Sequence, residues 1–174
     1  MSMRSLIVAL AGAAAVLPLA ASATLVSTPP PIGGNSAHPL AILRPCASSQ
    51  LKAAVTANQG GMMHRELRIT LTNTGAGACA IDGYPAVRLL DEQKHPRITA
   101  EAFSEKPRLF TIAPDQQAAF KLRVATGDGT TEYMTAPTLA IIPPGDTVPL
   151  LVSVVLPVAP TLDVTALLPA AEVK

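Results

Sequence analysis

The chain has 174 residues, 13 basic and 12 acidic, for a formal net charge of +1. That balance leaves no electrostatic footprint for nucleic acid, an acidic polymer or an anionic membrane surface. Tryptophan is absent and aromatics make up 3%, so a core must be built from Val, Leu, Ile and Ala.

Residues 1–23 read as a signal peptide. Arg4 supplies the positive start, Leu6 to Leu19 is almost wholly apolar, and Ala21-Ser22-Ala23 is a small-residue cleavage site. The apolar run falls short of the ~20 residues a membrane span needs, so no retained span is expected. There is no twin arginine, and Leu43-Arg44-Pro45-Cys46 lacks the small residues that precede a lipoprotein cysteine. The expectation is an exported protein, periplasmic or secreted. Residues 24–45 read as a Pro/Gly-rich linker, with Pro29-Pro30-Pro31 imposing extended geometry and Gly33-Gly34 following. It is either a stalk or an unstructured mature N-terminus.

Residues 46–174 are expected to form a single domain. Leu51 to Ala57 alternates weakly as a first strand, and Asn58-Gln59-Gly60-Gly61 is a turn signal. Leu67, Ile69 and Leu71 then alternate with Glu66, Arg68, Thr70 and Thr72, the period-two signature of a strand with one buried face. Asn73-Thr74-Gly75-Ala76-Gly77 ends it, since Asn bonds its own turn and glycine accepts positive φ. Cys79 and Ile81 open a short return, and Gly83-Tyr84-Pro85 turns it into Val87 and Leu89. Tyr84 is either a binding residue or a corner-stabilising one.

Asp91 to Pro96 is a polar hairpin connection into Arg97-Ile98-Thr99, and Ala100 to Arg108 reads as a long loop. Leu109 to Ile112 and Ala118 to Val124 read as strands, and Thr126 to Thr131 as a Gly-rich loop. Leu139 to Ile142, the turn Pro143-Pro144-Gly145-Asp146, Val148 to Val155 and Leu162 to Leu168 complete the chain. Seven to eight short strands with regular turn signals and no helix after the signal define an all-β, immunoglobulin-like Greek-key β-sandwich. The 17 prolines fit there because they sit at turns and strand ends.

An exported domain with two cysteines pairs them, so Cys46 and Cys79 form the expected disulfide. Catalytic chemistry finds no support. There is no G-x-S-x-G elbow, and His38, His64 and His95 read as linker or loop residues. Asp91-Glu92 and Glu101/Glu105 lie in polar connections where solvated charge is the default. Gly127-Asp128-Gly129 lacks the alternating ligands of a calcium loop and the lysine of a P-loop, and reads as a turn.

One constellation suggests chemistry. Met62-Met63-His64 places two thioethers beside an imidazole, soft ligands that suit Cu(I), with Met134 or His95 available to complete a site. The competing reading has a methionine filling a gap in an aromatic-poor core and His64 at the surface. Three neighbours on one strand alternate faces, which counts against a shared metal.

The string from Cys46 through Leu67-x-Ile69-x-Leu71-Thr72-Asn73-Thr74-Gly75, Cys79 and Gly83-Tyr84-Pro85 to Pro143-Pro144-Gly145-Asp146 resembles a family of bacterial exported domains catalogued as domain of unknown function 4232. The TNTG, C…GYP and PPGD elements carry the resemblance, which covers about Cys46 to Leu168. It implies an immunoglobulin-like sandwich without established enzymatic activity. Family members commonly carry a second cysteine pair flanking the PPGD strand; here Tyr133 to Pro137 and Val155 to Pro160 contain neither cysteine. The resulting expectation is a non-enzymatic exported module, binding or structural in the cell envelope, with no cofactor. Its partner would be an unidentified envelope protein or glycan, and the alternative is a periplasmic Cu(I)-binding protein using Met62, Met63 and His64.

Overall fold

In the computed structural model, residues 43–103, 106–126, 134–158 and 161–174 are described. The signal peptide, most of the linker, His38 and the Gly127-Asp128-Gly129 turn lie outside them, as does the side chain of Met134. The strands in chain order are β1 (Leu51–Gly61), β2 (His64–Asn73), β3 (Cys79–Ile81), β4 (Ala86–Leu90), β5 (Pro96–Thr99) and β6 (Glu101–Ala102). They continue as β7 (Phe110–Ile112), β8 (Gln117–Ala125), β9 (Met134–Ile142), β10 (Leu150–Val158), β11 (Leu162–Val164) and β12 (Leu168–Pro169). The described residues form no α-helix; a single 3₁₀ turn, Ser48–Gln50, precedes β1.

Two sheets carry the fold. One has the order β1-β2-β8-β11-β6, with β12 also on β8, and the other β10-β9-β4-β5. The chain crosses from the first sheet to the second between β2 and β4, returns by β8 and crosses again to β9. That is the Greek-key crossing pattern of an immunoglobulin-like sandwich, the class its strand rhythm announced. A small ribbon, β3 with β7, links the two.

The core follows from alternation. Leu67, Ile69 and Leu71 of β2 are buried, as are Phe120, Leu122 and Val124 of β8. From the other sheet Val87, Leu89, Leu139 and Ile141 join the same cluster. Phe120 is fully buried and is the largest side chain there, so methylene-rich residues fill the interior as the composition requires.

Several boundaries differ from the expected ones. Among the described residues twelve strands stand where seven to eight were expected, because two- and three-residue strands have no readable period. The stretch expected to be a turn, Asn58 to Gly61, is the end of β1, paired as far as Gly61 with His64. Ladder bonds to β2 override the glycine turn signal, and the chain reverses at Met62-Met63 instead. Part of the Ala100 to Arg108 loop is β6, held parallel to β11 by the pairs Asp163–Glu101 and Val164–Ala102. β9 begins at Met134 and not Leu139, and β10 runs Leu150–Val158. The Leu162 to Leu168 segment is two strands, β11 and β12. Arg44 and Pro45, expected in the linker, belong to the fold: the Arg44 carbonyl accepts from Ala80 N at 2.9 Å, and Pro45 bridges Ala80.

Candidate functional site

The Cys46–Cys79 disulfide forms as expected, closing 33 residues of sequence separation. Around it the motif residues interlock. Asn73, fully buried, donates from Nδ2 to the carbonyls of Gly77 and Ile112 at 2.9 and 3.0 Å, and its Oδ1 accepts from Gly75 N at 2.9 Å. Thr74 donates through its amide and its hydroxyl to the Gln50 carbonyl. Asp146 accepts from Ser48 N at 2.6 Å, Thr147 N at 2.6 Å and Val148 N at 3.2 Å. Those amides, Ser48's first, hold its carboxyl down at about 2. Gly145 sits at φ 81° with Pro45 against it, a backbone state that favours glycine. Tyr84 is half-buried beside buried Pro85. These contacts tie loops to one another, and a cleft of about 390 Å³ beside them is lined by Thr111, Ile112, Asp115 to Gln117 and the C-terminal turn, with no histidine or cysteine in its wall.

The opposite end is built differently. The β1–β2 hairpin turns on Met62 and Met63, 89% and 57% exposed. The core-filling alternative for these methionines is therefore overturned: they lie at a turn that points away from both sheets. Met63 has φ 62°, the left-handed region where a long side chain costs about 1 kcal/mol. The turn is nonetheless held, because the Met63 carbonyl accepts from Thr126 N at 3.0 Å. His64 opens β2, so it is a strand residue and not a loop one. Its Nδ1 donates to the Met62 carbonyl at 2.9 Å, since a carbonyl oxygen can only accept. The ring lies over Gly61, where a Cβ would come within 2.6 Å of it.

Below the hairpin, strand register builds a polar row. Glu66 faces Arg123, Arg123 faces Asp163, and Asp163 faces Glu101, one residue from each of β2, β8, β11 and β6. Directly opposed residues share a face. Toward the disulfide end this outer face is covered: Thr70 and Ala119 are buried, and Arg68 donates to the carbonyls of Ala170 and Val173 in the C-terminal turn. Toward the hairpin it is open. Phe103, 47% exposed, is fixed there by its amide bond to the Val164 carbonyl at 2.8 Å, with the Arg123 guanidinium 6.0 Å from its ring centre. Lys121 pairs with Glu66 at 2.8 Å.

Two clefts occupy the open half. One, about 280 Å³, is lined by His64, Glu66, Phe103, Lys121, Arg123, Asp163 and Thr165. The other, about 380 Å³, is lined by Met62, Met63, His64 and Thr161 and shares Arg123 and Asp163 with the first. The structure thus brings Met62, Met63 and His64 to one cleft, since the reversal at the hairpin removes the strand alternation that would have separated them. His95 does not line it; it follows the turn after β4, in the other sheet, 3.9 Å from Asp91. Among the described residues no three His, Cys, Asp or Glu side chains gather to hold a metal ion. The sequence reading missed the Glu66–Arg123–Asp163 row. Its one local signal was the outward set on β2, Glu66, Arg68, Thr70 and Thr72.

A disulfide-bonded, all-β Greek-key sandwich with one cross-braced end and one open polar end defines an immunoglobulin-like domain. The chain belongs to the family described as Domain of unknown function (DUF4232), whose model matches residues 46–168 and so takes in both ends. No curated protein and no solved structure matches the chain.

Proposed function

We propose that this chain is an exported, non-enzymatic binding module whose recognition surface is the open half of the β2–β8–β11 face together with the Met62-Met63 hairpin. One observation carries the reading: two adjacent methionines are exposed on a turn held in a costly backbone state and line a cleft that shares His64, Arg123 and Asp163 with the cleft walled by the exposed Phe103. Single exposed apolar residues are ordinary on a surface, whereas a contiguous set bordering a polar cleft is the composition of an interaction site. The Cys46–Cys79 bond is compatible with export. The described groups support binding over bond-breaking. Both cysteines are committed to the disulfide, Glu66 is paired with Lys121, and the His64 Nδ1 proton goes to a backbone carbonyl.

The test is retention of envelope proteins and glycans by the purified chain and by a Met62→Ser/Met63→Ser/Phe103→Ala variant of equal thermal stability. The variant is expected to lose retention. Equal retention by both contradicts the reading.

A second reading, Cu(I) binding by Met62, Met63 and His64, is favoured by one observation of its own. A histidine that ligates a metal commonly donates its other ring N–H to a backbone carbonyl, and His64 donates Nδ1–H to Met62. The thioethers flank that imidazole at one cleft, and thioether with imidazole suits Cu(I). In competition with a Cu(I) chelator, replacing Met62 and Met63 by Ser and His64 by Gln is expected to abolish affinity. Unchanged affinity sinks this reading.

A further inference from the structure

We propose that the groove across β2, β8 and β11 binds a neutral saccharide, with Glu66, Arg123 and Asp163 bonding ring hydroxyls and Phe103 stacking against a sugar face; this deepens the binding-module reading and rests on it. The argument starts from charge. Among the residues lining the cleft, Glu66 and Asp163 are matched by Lys121 and Arg123, while Glu101, at the β6 edge of the row, lies outside the lining. A balanced groove gives no net attraction to either an anion or a cation. A phosphate or carboxylate ligand would meet two carboxylates, and a divalent cation would meet a guanidinium and an ammonium.

What a balanced row offers is donors and acceptors in alternation. Glu66, Arg123 and Asp163 stand directly opposite one another on adjacent strands, about 4.8 Å apart in the pairing direction. Each sugar hydroxyl both donates and accepts, so a carboxylate with a guanidinium one strand away satisfies neighbouring hydroxyls of one ring. Thr165 closes the edge, its hydroxyl already bonded to the Lys121 amide and the Ala166 carbonyl. The carbon-bound hydrogens of a pyranose form an apolar face, and the exposed ring of Phe103 offers the matching surface.

The shape agrees. The clefts of about 280 and 380 Å³ share His64, Arg123 and Asp163, so they adjoin, one reaching Phe103 and the other Met62. That suits a short oligosaccharide better than a single ring. The backbone is also positioned in advance: strand pairing sets the row and the Phe103 amide bonds the Val164 carbonyl, while Lys121 orients the Glu66 side chain.

The experiment titrates the isotope-labelled chain with neutral di- to hexasaccharides of glucose, mannose, galactose and N-acetylglucosamine, with inorganic phosphate and calcium as charged controls. The expected result is that at least one saccharide shifts the amides of Glu66, Phe103, Arg123 and Asp163 while neither control does. Phe103→Ala and Asp163→Asn should each weaken binding about tenfold or more with unfolding midpoints unchanged. The inference is overturned if no saccharide shifts those amides up to about 10 mM, if shifts cluster elsewhere, or if both variants bind as the parent does. Retention of an envelope protein through Met62 and Met63 without any saccharide response would overturn this inference and leave the binding module standing. Absence of both responses would overturn the two together.

Discussion

The two ends of the sandwich are made of different material. At the Cys46 end, side chains bond backbone groups of their own turn and of other segments: Asn73 to Gly77 and to Ile112 of β7, Ser48 to Val148, and amides of two segments to Asp146. At the Met62 end, side chains face outward. The carbonyls and amides there hold the hairpin in place, as Met63 with Thr126 does, while the thioethers, Phe103 and the charged row remain open. The residues on which the sequence resemblance rested, from Thr72 to Gly75, Gly83 to Pro85 and Pro143 to Asp146, all fall at the first end. The comparison teaches that the first end is built as a scaffold. In the proposed reading, specificity is left to the other end.

This division can be broken by substitution, and the largest effect belongs to the disulfide. Replacing Cys46 and Cys79 by Ala should lower unfolding stability by about 3–4 kcal/mol in denaturant titration, because a loop of 33 residues is released in the unfolded chain. Asn73→Ala comes next, at about 2–3 kcal/mol, since it leaves two buried-side carbonyls and the Gly75 amide without a partner. An equal loss from Met62→Ser/Met63→Ser would erase the contrast; that pair is expected to change stability by no more than about 0.5 kcal/mol, as exposed positions do.

Acid sharpens the same comparison. The Asp146 carboxyl, held at about 2 by the Ser48, Thr147 and Val148 amides, lies below its unfolded value of 3.8. A depressed folded pKa contributes stability that is present in full above the unfolded pKa and lost as pH falls through the folded one. Asp146→Asn should therefore be less stable than the parent at neutral pH, with the gap closing between about pH 4 and pH 2. A gap that stays constant across that window would contradict the clamp. The smallest expected effect is Gly61→Ala, whose methyl displaces the His64 ring. It should shift the His64 resonances and alter binding with little change in the unfolding midpoint.

The sheets were legible in the sequence where burial is one-sided. Leu67, Ile69 and Leu71 announce β2, Phe120, Leu122 and Val124 announce β8, and the cysteine pair needed only the redox argument. Asn73 was readable as a turn-capping residue, although its bond to Ile112 was not, because that partner is 39 positions away. Glycines 60 and 61 misled as turn formers since pairing with Arg65 and His64 extends β1 through them. β6 was hidden because two residues carry no period. The groove was illegible for a deeper reason: Glu66, Arg123 and Asp163 become neighbours only through the register of three strands, and register is a property of the whole sheet. Which half of that face stays open depends further on Arg68 holding the C-terminal turn over the other half.

The central claim is that recognition and scaffold occupy opposite ends. The most direct test is to map amide shift changes on the labelled chain as fractionated envelope extract and the neutral oligosaccharides are added. The account predicts perturbations confined to Gly60 to Glu66, Phe103, Lys121 to Ala125 and Thr161 to Thr165. Perturbations centred on Cys46, Asn73 and Asp146, with the hairpin unmoved, would contradict it.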